Sequence, residues 1–530
     1  MTPTKRVTLW ACILGSAVVF LDGTVVNVAL PAIRDDLDTG LAAQQWIVEA
    51  YLLTLGSLLL VGGSLGDLLG RRRVFVAGLV GFGTTSLLCA LAPNAEALVF
   101  ARGLQGVAGA LLVPSSLALI TATFPAEERG AAIGAWTAWT GVSMVVGPLG
   151  GGLLVDHASW RWIFLVNVPF VLATLVLARR VPESRDEEST GRIDVLGAVL
   201  CALGLAGPVF ALIQQPSYGW GHPTVWIPLV AGLAMLVFFV VHEHRSDHPM
   251  LPLGIFRSRN FAVGNVATLA IYGGFGAATF FVAIFLQQVA GYSAVAAGLS
   301  LMPITVVMWL LSRRFGALSD RIGPRPLMGF GPIVAGLGLI WMGRLGTDVD
   351  YLTDLLPGVV VFALGLSMTV APLTTTVLAA VPDHMAGVAS GTNNAIARVA
   401  GLLAIAAVGA VLATLYKGAI DDRAASVPAA ERAALAEARE RPLSGGAGRP
   451  VADRVVADAS VSAYRGAMAM AGGLVILGGL ISLAGIVRPA PRPEPRPTVD
   501  HGAARLQQPC LQPERGPAAR APSAPAAATR

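Results

Sequence analysis

Apolar runs near twenty residues, the length at which an α-helix crosses a ~30 Å hydrocarbon core, recur along the whole 530-residue chain. They fall at roughly 8–31, 45–66, 74–92, 98–120, 131–153, 162–179, 194–215, 225–242, 262–288, 296–311, 326–343, 355–379, 387–413 and 466–487. A lipid interior offers no water to backbone N–H and C=O groups, so runs of this length are helices that satisfy their own hydrogen bonds. The pattern predicts an all-α membrane protein with fourteen spans. Composition agrees, with 55% hydrophobic and 13% charged residues against about 25% charged in a soluble domain. Soluble enzymes, disordered regulators and disulfide-stapled secreted domains are thereby excluded. The first run follows Lys5 and Arg6 as a signal peptide would, but it is too long for that and carries Asp22, so it reads as a retained span.

The charges that remain sort by position. With a cytoplasmic N-terminus, the inside loops before the tail hold 17 basic residues, whereas the short outside loops hold three, Arg34, Arg161 and Arg344. This asymmetry sets the orientation, and an even span number puts both termini in the cytoplasm. The net charge of +5 is spread in clusters between apolar runs, not along one face, so no nucleic-acid partner is expected. Of the 37 basic residues all but Lys5 and Lys417 are arginine, a codon bias that points to a GC-rich bacterial genome and hence to a bacterial cytoplasmic membrane. The four cysteines form no paired framework, so neither disulfides nor zinc is expected. His242, His244 and His248 sit in a connector without a second ligand cluster and read as a solvated loop.

An internal repeat organises the spans. Gly63, Leu65, Asp67, Gly70 and Arg72 recur as Gly316, Leu318, Asp320, Gly323 and Arg325, each displaced by 253 residues. Duplication of a six-span unit explains this if spans 7 and 8 are an insertion. The expected organisation is an N-terminal six-helix bundle at 1–180, a two-helix insertion with cytoplasmic linkers at 181–260, and a C-terminal six-helix bundle at 261–487. That second bundle includes a long external loop, 414–465, whose centre "AAERAALAEARER" has the composition of a short helix. Residues 488–530, rich in Pro, Arg and Ala, are expected to be a disordered cytoplasmic tail.

Six further stretches carry a resemblance. They are "LDGTVVNVALP" (21–31), "QWIVEAYLL" (45–53), "GSLGDLLGRRR" (63–73), "RGLQGVAGA" (102–110), "GPLGG" (147–151) and "WRWIFLVNVP" (160–169). In this order, on these spans, the chain resembles the fourteen-span drug:proton antiporter family of the major facilitator superfamily, from about residue 8 to residue 487. The resemblance implies the major facilitator fold in a 6+2+6 arrangement and alternating access. Its expected task is proton-coupled export of amphipathic drugs or other toxic small molecules. A dedicated exporter of one endogenous metabolite, such as an antibiotic or siderophore, and a non-transporting receptor or scaffold are the alternatives.

Charged residues inside spans are costly and mark ion or substrate paths by default. Asp22 lies nine residues before Pro31, about 13 Å below the outer end of its helix at ~1.5 Å per residue. Arg102, some five residues into span 4 from the same side, is able to reach that depth, and the two are the expected proton-coupling centre. The resemblance supports this, since it implies a proton or substrate site at the aspartate and an arginine that assists proton transfer. Glu49, in the outer half of span 2, either serves a cationic substrate, adds a second proton site, or is solvated at the external mouth. Spans 9–14 hold no acidic residue, so neutral or monocationic substrates are favoured over dications. Gln287, Asn393 and Arg398 are further candidate substrate contacts, with packing an equal alternative for Arg398.

The resemblance also implies a conformational motif, with Gly63, Asp67, Gly70 and Arg71 latching the outward-facing state and Asp320 and Arg325 as its repeat. Gly147 and Pro148 belong to the "GPLGG" motif, which the resemblance associates with antiporters. A "GxxxxGK[ST]" loop is absent because neither lysine sits in one, and no nucleophile, base or metal constellation stands out. Neither an enzyme, a cofactor nor a metal is expected. The partners are a small-molecule substrate, protons and the lipid bilayer, and the chain is expected to act as a monomer.

Overall fold

The structure, a computed structural model, describes residues 1–185, 194–247, 249–382, 385–443, 446 and 448–487. The expected tail at 488–530 and His248 lie outside the described residues, as does the side chain of Asp320. The N-terminal half comprises α1 (Pro3–Leu37), α2 (Leu41–Leu69), α3 (Arg71–Ala90), α4 (Ala95–Thr123), α5 (Ala126–His157), and a sixth segment split into α6 (Trp162–Leu165) and α7 (Asn167–Ala178). Next come α8 (Val195–Tyr218) and α9 (Pro223–Arg245). The C-terminal half comprises α10 (Arg259–Gln288), α11 (Ala294–Ser300), α12 (Met302–Ile322), α13 (Pro324–Met342), α14 (Leu356–Ala379), α15 (Ala386–Arg423), α16 (Arg432–Arg439) and α17 (Pro450–Gly485).

Among the described residues, thirteen helices are long and apolar enough to cross a membrane, and Trp162–Ala178 is a shorter apolar segment. That segment occupies the place of the expected sixth span and is interrupted at Val166. The expected external loop 414–465 is largely helical. Helix α15 runs on to Arg423 and α17 begins at Pro450. These extensions bury Tyr416, Ile420, Val455 and Val456 against Leu435 and Ala438 of α16, so packing continues the helices beyond the end of their apolar runs.

The repeat persists at atomic detail. Helices α2 and α12 both end on a glycine in the left-handed region, Gly70 at φ 108° and Gly323 at φ 88°. One residue pair further on, Arg72 Nε donates to Ala178 O (2.9 Å) at the end of α7, and Arg325 Nε donates to Leu483 O (2.6 Å) near the end of α17. Each arginine thereby ties the last helix of its half to the second loop. At Gly70 an added Cβ would also lie 2.8 Å from Glu183 Oε1, an oxygen that accepts from Arg72 N at 3.0 Å. Gly70→Ala is expected to cost about 1–2 kcal/mol from the left-handed backbone alone. A lowered melting temperature of the purified protein in detergent, matched by Gly323→Ala, checks this.

Close helix contacts rest on other glycines. A Cβ at Gly62 would sit 2.1 Å from Ala110 O and one at Gly106 would sit 2.4 Å from Tyr51 O, so α2 and α4 meet backbone to backbone. At Gly63 the nearest atom, Pro114 Cβ, is 3.6 Å away, an ordinary contact. The tight approach falls on Gly62 and not on Gly63, because only one of two adjacent helical residues faces the partner helix. The pair α8–α9 is joined in the same way through Gly204, Gly207 and Gly232, and Leu205, Val209 and Ile213 of α8 pack with Leu402 and Ala406 of α15 and with Trp46, Leu52 and Leu53 of α2.

The two halves share one core at their outer ends and separate cores at their inner ends. Val26, Leu30, Ile47 and Phe164 of the first half lie in one buried cluster with Phe280, Phe285, Val408 and Tyr464 of the second. Towards the opposite ends, Phe75, Phe82 and Ile120 form a cluster within the first half, whereas Phe261, Met328 and Leu373 form one within the second. Polar contacts reinforce the outer closure. Arg34 Nη1 donates to Gln288 Oε1 at 2.7 Å, Gln45 Nε2 donates to Ile405 O at 3.0 Å, and Asp156 accepts from Ala294 N and Val295 N. Above them, Arg441 pairs with Asp38 at 3.2 Å, and Lys417 pairs with Glu440 at 2.6 Å. The Lys417 hydrogen bond holds the Glu440 carboxyl below the usual range. The halves are thus joined at this end, and α2 also approaches α15 further along, where a Cβ at Gly391 would lie 3.2 Å from Leu60 Cδ2.

Candidate functional site

The sequence reading placed Asp22 and Arg102 at one depth, and the fold brings them into contact. Asp22 of α1 is fully buried and Arg102 of α4 nearly so, and Arg102 Nη1 donates to Asp22 Oδ2. The other carboxylate oxygen, Oδ1, accepts from Gln105 Nε2 and from Asn167 Nδ2, both at 3.0 Å. Gln105 lies one turn beyond Arg102 on α4, so both reach α1 from a single helical face. Ser86 of α3 accepts from the same two amides, at 2.9 Å from Gln105 and 3.3 Å from Asn167.

Arg102 is held just as firmly. Its Nη1 also donates to Gln105 Oε1 at 2.7 Å and its Nε to Ile47 O at 3.0 Å. The guanidinium lies 4.2 Å from the centroid of the Tyr51 ring, whose hydroxyl donates to Val19 O at 3.1 Å. A charge pair in a medium of low dielectric survives only when its remaining hydrogen-bonding capacity is met, and four helices besides α1 contribute to meeting it. Adding a proton to Asp22 removes the charge that anchors Arg102.

The "GPLGG" stretch of α5 runs directly behind this centre. A Cβ at Gly147 would lie 2.5 Å from Thr24 Oγ1 and 3.3 Å from Leu21 O, on either side of Asp22 in sequence. On α11 of the opposite half, a Cβ at Gly298 would lie 2.8 Å from Pro148 O. Gly147 and Pro148 therefore sit where α1, α5 and α11 meet, between the coupling pair and the outer seal.

A search against family models matches residues 12–405 to the Major Facilitator Superfamily. The chain belongs to this superfamily. Among its relatives, a puromycin resistance protein of Streptomyces alboniger is 38% identical over 396 residues, 73% of this chain and 78% of the relative. A tetracenomycin C resistance and export protein of Streptomyces glaucescens is 36% identical, covering 82% of this chain and 81% of the relative. The multidrug resistance protein Stp of Mycobacterium tuberculosis is 35% identical, covering 82% of each chain. A bacterial homologue of the lysosomal transporter Spinster, solved inward-facing and unoccupied, superposes with a TM-score of 0.62 at 18% identity. It covers 92% of this chain and 100% of its own, a likeness of fold. As a major facilitator, the chain is a multi-pass protein of the bacterial cytoplasmic membrane.

The other expected site residues of this transporter do not form one cluster. Glu49 is fully buried instead of solvated at the external mouth, and neither carboxylate oxygen has a hydrogen-bond partner among the described residues. Asn393 donates to Asn265 Oδ1 (3.0 Å) and Thr268 Oγ1 (2.9 Å), and it lines a pocket with Tyr272, Thr374, Ser390, Asn394 and Ala397. Arg398 follows one residue after Ala397 and is half-buried. Gln287 lies fifteen residues beyond Tyr272 on α10, about 22 Å along the helix. It donates to Ala283 O on its own helix at 3.2 Å and belongs to the closed outer end. Asp67, in the last turn of α2, pairs with Arg71 at the start of α3 at 2.8 Å.

Gln105, Ser86, Asn167 and Tyr51 were missed by the sequence reading. Uncharged polar residues are cheap enough in a span to serve many roles, so each alone is weak. The signal available was position, since Gln105 and Asn167 both lie within stretches that carry the family resemblance.

Proposed function

We propose that this chain is a proton-coupled antiporter that exports amphipathic drugs from the bacterial cytoplasm by alternating access. The observation that carries the reading is the enclosed Asp22–Arg102 pair, which lies beside helix ends that join the two halves on the side read here as external. In this state the aspartate holds the arginine and the polar pocket beside Asn393 is open to substrate. Protonation of Asp22 from outside releases Arg102 and favours return to the inward-facing state, while deprotonation to the cytoplasm resets it. Glu49, enclosed here, belongs to the outward-facing part of the cycle, in which opening of the seal exposes it to a cationic group. Asp67, Arg71 and Gly70, with Asp320 and Arg325 on the repeat, act as the inner latch of that outward state.

In this reading the chain has fourteen spans, both termini in the cytoplasm, and the organisation 1–180, 181–260 and 261–487 followed by a tail. It works as a monomer, with protons and a small molecule as its partners and no catalytic reaction. Purified protein in proteoliposomes tests it. An imposed pH gradient is expected to drive counterflow of a dye such as ethidium, and abolishing the gradient is expected to stop it. Transport indifferent to the gradient overturns proton coupling, and no transport of any compound favours a receptor or scaffold.

Relatives named for single compounds, puromycin and tetracenomycin C, support a second reading, a dedicated exporter of one metabolite. A susceptibility panel of dyes, quaternary ammoniums and antibiotics separates the two. Broad protection of a sensitive host is expected of a multidrug exporter, and protection against one structural class is expected of a dedicated one.

A further inference from the structure

Two arginines lie deep in this membrane protein, and their surroundings are opposite. Arg102 is enclosed, with a carboxylate, an amide and a backbone carbonyl as acceptors. Arg398 stands twelve residues into α15, about 18 Å from its inner end. Its guanidinium has no hydrogen-bond or ion-pair partner among the described residues; the Phe20 ring lies 5.4 Å away, and the Tyr51 and Tyr272 side chains are near enough to act on its charge. The side chain is half-buried, so it is not sealed in the core.

An arginine at this depth is expensive unless a partner or water compensates it, and such residues mark a substrate path by default. Among the described residues no acid is paired with it. Asp22 is committed to Arg102, Glu49 is enclosed, and the apolar runs of the second half contain no acidic residue. The pocket one turn away offers only uncharged groups, from Tyr272, Thr374, Ser390, Asn393 and Asn394. The interior surface that faces the cytoplasm is therefore positively charged at one point and neutral and polar beside it. Phe20 of the first half lies against the guanidinium, so the charge sits where the two halves converge.

We propose that Arg398 binds an acidic group of the exported molecule, a carboxylate or an ionised phenol, while the neutral pocket holds an aromatic body bearing hydroxyls or carbonyls. This rests on the export reading above and names a substrate class for it, extending the neutral or monocationic range expected from the sequence to aromatic acids. The planar guanidinium fork suits a carboxylate bidentately, and the site's partial burial strengthens the attraction over that in water. The neighbouring Phe20 and Tyr272 provide faces for a flat ring system.

The test uses anthraquinone-2-carboxylic acid and its methyl ester, a pair that differs in charge and little else, with the full chain in nanodiscs. Wild type is expected to bind the acid at least tenfold more tightly than the ester. Arg398→Gln is expected to bring the acid down to the ester's affinity, and Arg398→Lys to keep part of the difference. Equal binding of acid and ester by wild type overturns the proposal without depending on any variant's folding. A difference that survives in well-folded Arg398→Gln overturns it too. Wild-type protein that exports ethidium but binds neither anthraquinone refutes the acidic substrate class and leaves the export reading standing. Protein that binds the acid through Arg398 but transports nothing along a pH gradient refutes the export reading instead.

Discussion

Asp22→Asn is expected to abolish pH-gradient-driven export while the protein still folds and binds substrate. The amide keeps the shape of the carboxyl group but carries no charge. It is able to accept from Gln105 or Asn167 through one oxygen only, where the wild-type carboxylate accepts from Arg102, Gln105 and Asn167 together. Arg102 is then an enclosed cation with its counter-charge removed. Breaking a buried pair in this way costs about 3–5 kcal/mol, so a weakening of the α1–α4 contact by a factor of roughly 10² to nearly 10⁴ follows. The variant has no proton to exchange at this position, so its transport no longer responds to a gradient. Proteoliposomes loaded with ethidium measure this, and full gradient-driven transport by Asp22→Asn sinks the coupling role. Gln105→Leu is the informative companion. It leaves the charge pair in place and removes the amide that bridges Asp22, Arg102 and Ser86, so a partial loss with a displaced pH profile is expected.

The second large effect is expected at Gly147. Here a side chain beyond hydrogen meets Thr24 Oγ1 at 2.5 Å and Leu21 O at 3.3 Å. Leu21 O is backbone within a helix, so it has no freedom to move aside without shifting α1 and with it Asp22. Overpacking of a tight helix contact costs typically about 1–3 kcal/mol, and Gly147→Leu adds three more carbons beyond the Cβ. Transport is expected to be lost even where the protein is produced and inserted normally. Gly141 belongs to the same helix but has nothing within 4 Å of an added Cβ, so Gly141→Ala is expected to be close to wild type in both amount and transport. Comparable losses in the two variants overturn the view that α5 acts through its packing on α1 and α11.

These two sites differ in how far they were legible beforehand. Asp22 and Arg102 stand out in the sequence because a charge inside a lipid-length apolar run is costly, and cost implies purpose. Their partners did not stand out. Ser86, Gln105 and Asn167 come from three helices far apart in the chain, and only the crossing of α1, α3, α4 and α7 brings them within 3.3 Å of one another or of Asp22. Gln287 and Asn393 look alike in sequence, yet one ends up in the closed outer seal and the other in the inner pocket. A polar residue's depth along its helix can be counted, but the direction it faces depends on helix rotation, which neighbouring helices set.

By itself, the sequence determined that this chain spans a membrane repeatedly, that one loop motif recurs 253 residues further on, and that it resembles drug exporters. Each of these follows from local quantities such as run length, loop charge and residue spacing, which hydrophobic burial and the absence of water in lipid convert directly into helices. Only the tertiary structure decided that the two halves share one buried cluster, and that, among the described residues, Glu49 is enclosed without a hydrogen-bond partner and Arg398 is not paired with an acid. Those are properties of pairs of residues separated by tens to hundreds of positions. Their energies depend on distance and dielectric, and both are set by packing between helices that no single run of sequence contains.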